Sequence, residues 1–139
     1  MKIAIRYYTK SKKGNTEKIA KFVSEKLGIP ALDVSHPLEE AVDQLLLINA
    51  MYAADIDKEI KAFLKENKNR IGCLVNINSS ASGSSTLKAV KKVADASGIA
   101  VSDKEFHTVA SWIFLNKGRP NEADFARLDS FLKENFAHE

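Results

Sequence analysis

The sequence predicts an α/β fold in which strands and helices alternate around a parallel sheet. Short apolar runs of strand length recur along the 139 residues. Between most of these runs lie segments with apolar residues at helical spacing. Gly, Asn and Ser residues separate the strand-like runs from the helix-like segments. Such alternation is typical of a parallel sheet with helices on both faces. We expect a single α/β domain with five strands over residues 1–139.

The first half of the chain is predicted to hold three strands and two helices. Strands are predicted over 2–8, 31–34 and 44–51, and helices over 15–27 and 57–67. The third strand, QLLLINAM, is apolar nearly throughout, as expected of a strand that is buried on both faces. Gly28 follows the last apolar residue of the first helix and predicts its end.

The second half repeats this alternation. Strands are predicted over 71–78 and within 101–115, and helices over 84–97 and from Pro120–Asn121 onwards. The apolar side of the last helix is predicted to consist of Phe125, Leu128, Phe131, Leu132 and Phe136.

Composition limits the classes of function. The formal net charge of +3 is small and no aromatic-basic RNA motif is present, so we expect no nucleic acid partner. No apolar run approaches the roughly 18 residues of a membrane span, so we expect no membrane partner. The single cysteine, Cys73, favours a cytoplasmic location and inert packing. We expect no metal site, because no His, Cys, Asp and Glu cluster has metal spacing.

Ligands of parallel α/β sheets bind outside the carboxyl ends of the strands. This rule selects three loops, which are 9–16 after the first strand, 49–55 after the third and 78–83 after the fourth. The first loop reads TKSKKGNT and precedes a helix, whose free N–H groups and dipole favour an anion. The alternative is a plain strand-to-helix turn, in which Asn15 or Thr16 only caps the helix.

The first loop matches neither the Walker pattern nor GxGxxG, so we expect a terminal monophosphate rather than a pyrophosphate. We expect no catalytic side chain. His107, on a predicted strand, is expected to be structural, and Lys117 and Arg119 are expected to face solvent.

The segment YYTKSKKGNTEKIA resembles the phosphate loop of the flavodoxin family, in which [S/T]-x-[S/T]-G-N-T precedes a helix. The resemblance extends to LLLINAMYAADIDKEIKAFL, INSSASGSSTLKAVKKV and FLNKGRPNEADFARL. It implies a flavodoxin-like three-layer sandwich whose five-stranded parallel sheet has the strand order 2-1-3-4-5. It also implies FMN as the cofactor. The residues implied to bind the phosphate are Thr9, Ser11, Lys12, Lys13, Gly14, Asn15 and Thr16.

The same resemblance implies that the second and third loops hold the isoalloxazine ring. Tyr52 is the aromatic residue placed to stack on the ring, and the alternative is a surface tyrosine. The third loop is alternatively a solvated serine-rich turn with a helix cap. The residues implied to contact the ring are Ala50, Met51, Tyr52, Ala53, Asn78, Ser79, Ser80, Ala81, Ser82 and Gly83.

The function implied is a redox protein that passes electrons through a non-covalent FMN to a partner protein or a small-molecule acceptor. Family carriers are strongly acidic, whereas this chain has 21 Lys and Arg against 18 Asp and Glu. An FMN-dependent NAD(P)H:acceptor oxidoreductase of quinone type is therefore one alternative. A flavin-free scaffold is another, because Lys13 replaces a frequent threonine and Asn49–Ala50 replaces a glycine of the second loop.

Two other functions on similar folds are excluded by residue type. A phosphoacceptor receiver domain needs acidic residues after the first strand and an aspartate at the end of the third, but these strands end in RYYT and INAM. A low-molecular-weight phosphatase or arsenate reductase needs a cysteine in the first loop, and none is present.

Overall fold

Five parallel strands form one sheet with the order β2-β1-β3-β4-β5, as predicted. The computed structural model describes residues 1–10, 14–51, 55–110 and 118–136. The strands are β1 (Ile3–Tyr7), β2 (Ala31–Asp33), β3 (Val42–Ala50), β4 (Ile71–Ser80) and β5 (Phe106–Val109). The helices are α1 (Asn15–Leu27), α2 (Lys58–Glu66), α3 (Leu87–Ala96) and α4 (Glu122–Phe136), with a short 3-10 helix at Lys68–Arg70.

The helices cover both faces of the sheet and make three layers. Helices α1 and α4 pack on one face, against Leu46, Ile48 and their neighbours. Helices α2 and α3 pack on the other, against Leu45 and Leu47. Alternate residues of β3 therefore point to opposite cores, which explains why this strand is apolar nearly throughout.

The predicted apolar side of α4 is confirmed. Its residues Phe125, Leu128, Phe131, Leu132 and Phe136 all belong to or pack against the core beneath α1 and α4. Phe125 also contacts Phe22 of α1, with the two ring centroids 5.0 Å apart. Aromatic and aliphatic contacts therefore join the first and last helices on one face of the sheet.

Residues 34–41 cross from β2 to β3 without a helix. Such parallel crossovers usually contain one, so another element must cover this part of the face. Leu38 of the crossover is buried in the core beneath α2 and α3. Its backbone N–H donates to Asn67 Oδ1 at 2.9 Å. The buried Arg6 of β1 donates through Nε to the carbonyl of His36 at 2.8 Å. Burial of Leu38 and hydrogen bonds to the backbone of the crossover therefore take the place of a covering helix here.

Within the part of the chain that the structure describes, no helix has the length and apolar character needed to cross a membrane.

Candidate functional site

The three loops selected from the sequence begin side by side at the carboxyl edge of the sheet. The Tyr8 N–H donates to the Ile48 carbonyl at 3.3 Å, which aligns the end of β1 with β3. The Met51 N–H donates to the Ser79 carbonyl at 3.2 Å, which aligns the end of β3 with β4. Because neighbouring strands lie about 4.8 Å apart, the ends of all three strands fall within the span of one small ligand.

The first loop leads directly into helix α1. Gly14 occupies the N-cap position with an extended conformation, φ −87° and ψ −168°. Glycine has no side chain, so it cannot cap the helix itself as a serine or asparagine there would. Its carbonyl accepts from the Lys18 N–H at 3.1 Å, which starts the helical ladder. The positive end of the α1 dipole therefore lies at the carboxyl edge of the sheet.

Thr16 lies in the first turn of α1 and is only 3% exposed. Asn15 begins the helix and is half-buried, as is Thr9 after β1. Four of the residues predicted for the phosphate are described, Thr9 after the end of β1 and Gly14, Asn15 and Thr16 at the start of α1, and their contact with a phosphate stays a prediction. The other three, Ser11, Lys12 and Lys13, lie outside the described residues, so their role stays a prediction.

Lys10 links the first loop to the helix that follows the second loop. Its Nζ lies 3.5 Å from Asp57 Oδ2. Asp57 is the N-cap of α2, where its Oδ1 accepts from the Glu59 N–H at 2.9 Å. One carboxylate therefore caps α2 and holds a lysine from the first loop.

The second loop is described only at its two ends. Ala50 is the last residue of β3 rather than a loop residue, and Met51 follows it. Both are half-buried. Tyr52 and Ala53, the residues predicted to lie along the ring, fall outside the described residues.

The third loop begins later in the chain than predicted because β4 continues to Ser80. Ser79 and Ser80 were expected in the loop, and Asn78 at its junction with the strand. In the structure Asn78 and Ser79 pair with both β3 and β5, and Ser80 pairs with β5. All three are buried. The predicted helix over 84–97 also begins later, at Leu87. Only Ala81, Ser82 and Gly83 of the predicted set belong to the turn itself.

A buried network of polar side chains fixes the lead-in to α3. Asn49, Asn76 and Asn78 are each 0% exposed and Thr86 is 1% exposed. The Thr86 hydroxyl donates to Asn49 Oδ1 at 2.7 Å and accepts from Asn76 Nδ2 at 3.0 Å. Asn49 Nδ2 donates to Asn76 Oδ1 at 2.8 Å. Three neighbouring elements are thereby locked together just beneath the carboxyl edge.

Asn78 completes this network from its own strand. Its Oδ1 accepts from the Thr86 N–H at 3.1 Å, and its Nδ2 donates to the Ser84 carbonyl at 3.0 Å. Both ends of the amide are thus occupied by the backbone of the third loop. The contact predicted between Asn78 and a ligand stays untested, but its side chain shapes the loop. Asparagines inside two apolar strands were the sequence signal, because buried amides require hydrogen-bond partners.

The turn of the third loop is also fixed internally. Ser80 Oγ donates to the Ser84 carbonyl at 3.0 Å, and Ser82 Oγ donates to Ser84 Oγ at 2.8 Å. Gly83 has φ +81°, and a Cβ there would lie 3.0 Å from Val109 Cγ2. Only glycine combines that conformation with the close approach to β5. The exposed Ala81 and Ser82 therefore stand on a firmly held turn.

His107 of β5 supports the same turn. Its Nδ1 lies 2.8 Å from the Gly83 carbonyl, which can only accept, so Nδ1 carries the proton and donates. The prediction that this histidine has a structural role is consistent with that contact.

Arg119 was predicted to face solvent; its side chain is 34% exposed but also forms an ion pair. Its Nε and Nη2 donate to Asp124 at 2.6 and 2.7 Å. Asp124 also accepts from Arg127 Nη2 at 2.7 Å and from the Thr108 hydroxyl at 3.0 Å. The Arg119 guanidinium, helped by the Asn121 N–H, holds the pKa of the Asp124 carboxyl well below its usual range. This cluster joins β5 to α4. Lys117 lies outside the described residues.

Among the described residues, Cys73 and the potential metal ligands form no arrangement suited to catalysis or metal binding. Cys73 lies near the start of β4, away from the carboxyl edge, and burial raises the pKa of its thiol. Among residues 1–10, 14–51, 55–110 and 118–136, no three metal-ligating side chains form a group that could hold an ion. The chemistry of the carboxyl edge is that of backbone N–H groups, hydroxyls and small side chains.

No family model matches the sequence. No curated protein matches it either.

Solved structures do match the fold over nearly the whole chain. A flavodoxin from the domain Archaea superposes with a TM-score of 0.70 at 12% identity, covering 94% of this chain and 93% of that one. The chain has a flavodoxin-like fold. The flavodoxin of Streptococcus pneumoniae TIGR4 gives a TM-score of 0.62 at 20% identity, with 95% of each chain covered.

A third similar structure was solved with a ligand. It is a flavoprotein from Lactobacillus acidophilus NCFM in complex with FMN, with a TM-score of 0.61 at 16% identity. The match covers 76% of this chain and 91% of that flavoprotein. At these low sequence identities, the similarity to these proteins is a similarity of fold. That fold includes the strand order predicted from the sequence.

Proposed function

We propose that this flavodoxin-like chain binds one FMN non-covalently at the carboxyl edge of its sheet and passes electrons through it. One observation carries the proposal. Helix α1 begins at Asn15 after β1, and the ends of β3 and β4 are the next two along the same edge of the sheet, in a fold that similar proteins described as flavodoxins also have.

The phosphate of FMN would be held at the beginning of α1. Backbone N–H groups of a first helical turn and the positive dipole end favour a dianion. Thr16 adds a hydroxyl from a nearly buried position, where a hydrogen bond to a charged group is little weakened by water. Gly14 has no Cβ to obstruct the approach of the phosphate to the backbone.

The ring would lie across the two neighbouring turns. Ala50 and Met51 would contact it from β3, and Ala81, Ser82 and Gly83 from the turn after β4. The small side chains of Ala50, Ala81 and Ser82 leave space for a flat ring, and the buried asparagine network beneath the turn keeps it in place. A bound flavin supplies transfer of hydride or of single electrons, so no acid–base pair is required of the protein.

The chain's charge bears on whether it is a carrier or an enzyme. A carrier that is steered by a large negative field needs an acidic surface, and a chain with net charge +3 does not have that excess. This favours the second candidate, an FMN-dependent oxidoreductase that takes electrons from NADH or NADPH. Steady-state oxidation of either nucleotide by the FMN-loaded protein with a quinone acceptor would identify the enzyme. Absence of such oxidation would leave the carrier.

Substitution of Thr16 by valine tests the phosphate site, since valine keeps the buried shape and removes the hydroxyl. A hydrogen bond to a charged group is worth about 1.5 to 3 kcal/mol, so FMN binding should weaken by roughly tenfold or more. Riboflavin, which has no phosphate, should bind to Thr16→Val and to the unaltered protein alike. Fluorescence titration measures both ligands. Equal weakening of FMN and riboflavin would refute the role given to this turn.

A further inference from the structure

A groove runs between α2 and α3, on the face of the sheet opposite α1 and α4. Its volume is about 1130 Å³. One end lies at Met51 and Thr86, next to the carboxyl edge, and the other at Ala96 and Ser97, at the C-terminal end of α3. The groove therefore follows α3 over its length, about 15 Å for a helix of ten residues.

Lysines dominate the charge of the groove. The described residues that line it include Lys61 and Lys65 of α2, Lys88 and Lys92 of α3, and one carboxylate, Asp55. The resulting charge of +3 equals the net charge of the whole chain. The charged residues that line the groove thus account for the whole excess of positive charge, and the charges of all other residues sum to zero.

Only one of these lysines is neutralised within the described part of the molecule. Lys61 Nζ lies 2.7 Å from Asp55 Oδ2, and this contact lowers the pKa of the Asp55 carboxyl. No carboxylate of the described residues lies within 4.0 Å of Lys65, Lys88 or Lys92.

The spacing of the lysines is unfavourable in the absence of an anion. Each helix presents its two groove lysines at positions i and i+4, about 6 Å apart along the axis. Like charges at this spacing destabilise a helix. Because Asp55 already neutralises Lys61, the uncompensated repulsion lies between Lys88 and Lys92 of α3. A ligand with several negative charges would relieve it and also pair with Lys65.

The groove also has an apolar component. Ala89, Val93 and Ala96 of α3 line it between the lysines, together with Met51 at the carboxyl edge. Its volume is that of a site for a ligand well above the size of a single phosphate. Concave shape, apolar strip and paired cations together fit a flat ring joined to more than one phosphate.

We propose that the α2–α3 groove binds a nucleoside diphosphate, with the phosphates among Lys61, Lys65, Lys88 and Lys92 and the base against the apolar strip of α3. This site is separate from the Gly14–Thr16 turn, and the proposal does not require a flavin. A free nucleotide and the diphosphate half of a dinucleotide share this chemistry.

Isothermal titration of the full chain with ADP at low ionic strength tests the proposal. The groove variant is Lys88→Gln with Lys92→Gln, and the matched control is Lys104→Gln with Lys133→Gln, exposed lysines outside the groove. Both variants lose two charges. We expect one ADP per chain, about tenfold weaker binding to the groove variant and less than twofold change in the control. Adenosine should bind far more weakly than ADP.

Three outcomes would overturn the proposal. They are no heat of binding at millimolar ADP, equal weakening by both double variants, and stronger competition by an acidic peptide than by another nucleotide. The Thr16→Val variant keeps the two sites distinguishable, because it should lose affinity for FMN and bind ADP unchanged. Comparison of ADP with NADH and NADPH then shows whether the site prefers a mononucleotide or a dinucleotide.

Discussion

At the scale of single residues, the most consequential group is the buried network of Asn49, Asn76, Asn78 and Thr86. Every member is fully or almost fully buried, so its polar atoms need hydrogen-bond partners inside the protein. Thr86 is central because its hydroxyl serves two asparagines and its N–H serves the third. The turn that we propose to support the flavin ring depends on this residue.

Replacement of Thr86 by valine should destabilise the protein by about 2 to 3 kcal/mol, because it removes the hydroxyl that donates to the buried Asn49 Oδ1 and accepts from the buried Asn76 Nδ2. Thr86→Ser retains the hydroxyl and should lose less than half as much. Urea denaturation followed by circular dichroism measures both. Equal losses in the two variants would show that the methyl group, rather than the hydroxyl, matters at this position.

At the scale of elements, Asp124 joins β5 to α4. It is 2% exposed and is held by Arg119, Arg127 and Thr108. Arg127 also lies over the Phe106 ring, at 5.4 Å from its centroid. Because the carboxylate is stabilised in the folded state, its folded pKa lies below the unfolded value of about 3.9. Its contribution is therefore complete above about pH 4 and is lost as the pH falls further.

Asp124→Asn should lower the free energy of unfolding at pH 7 by about 2 to 3 kcal/mol. The difference from the unaltered protein should shrink below about pH 4, where the carboxylate of the unfolded chain becomes protonated. Urea denaturation at several pH values measures this. Asp95→Asn, at an exposed carboxylate of α3, is the control and should change stability little. A difference that stays constant down to pH 3 would contradict the ion-pair account.

The periodicity of apolar residues correctly predicted the helices and strands in which apolar residues face the core and polar residues face solvent. The predicted helix over 15–27 coincides with α1, and the apolar side of α4 was predicted in full. The predicted end of β4, at Asn78, was two residues too early because Ser79 and Ser80 are polar and typical of turns. They are strand residues because Ser79 pairs with β3 and β5 and Ser80 pairs with β5. The partner of Arg119 could not be predicted, since it follows from the burial of Asp124 by the fold.

The candidate site was predictable to the extent that topology determines it. The ends of β1, β3 and β4 meet because parallel strands share an edge, and the rule for α/β sheets selected these loops before any motif was considered. The lysine groove was not predictable, because it requires two helices from separate segments to lie side by side.

At the scale of the whole molecule, the structure combines a flavodoxin-like fold with a charge distribution opposite to that of an acidic carrier. The carboxyl edge offers a helix start, a buried hydroxyl and small side chains, and the neighbouring groove concentrates positive charge. A flavin would fit the helix start and small side chains of the carboxyl edge. An anionic ligand or partner would fit the lysines of the neighbouring groove.

The most direct test of this account is titration of the purified, flavin-free protein with FMN, monitored by flavin absorption and fluorescence. We predict saturable binding of one FMN per chain with a Kd of about 1 µM or lower. Absence of any spectral change or quenching at tens of micromolar FMN, with the protein shown to be folded, would contradict the account.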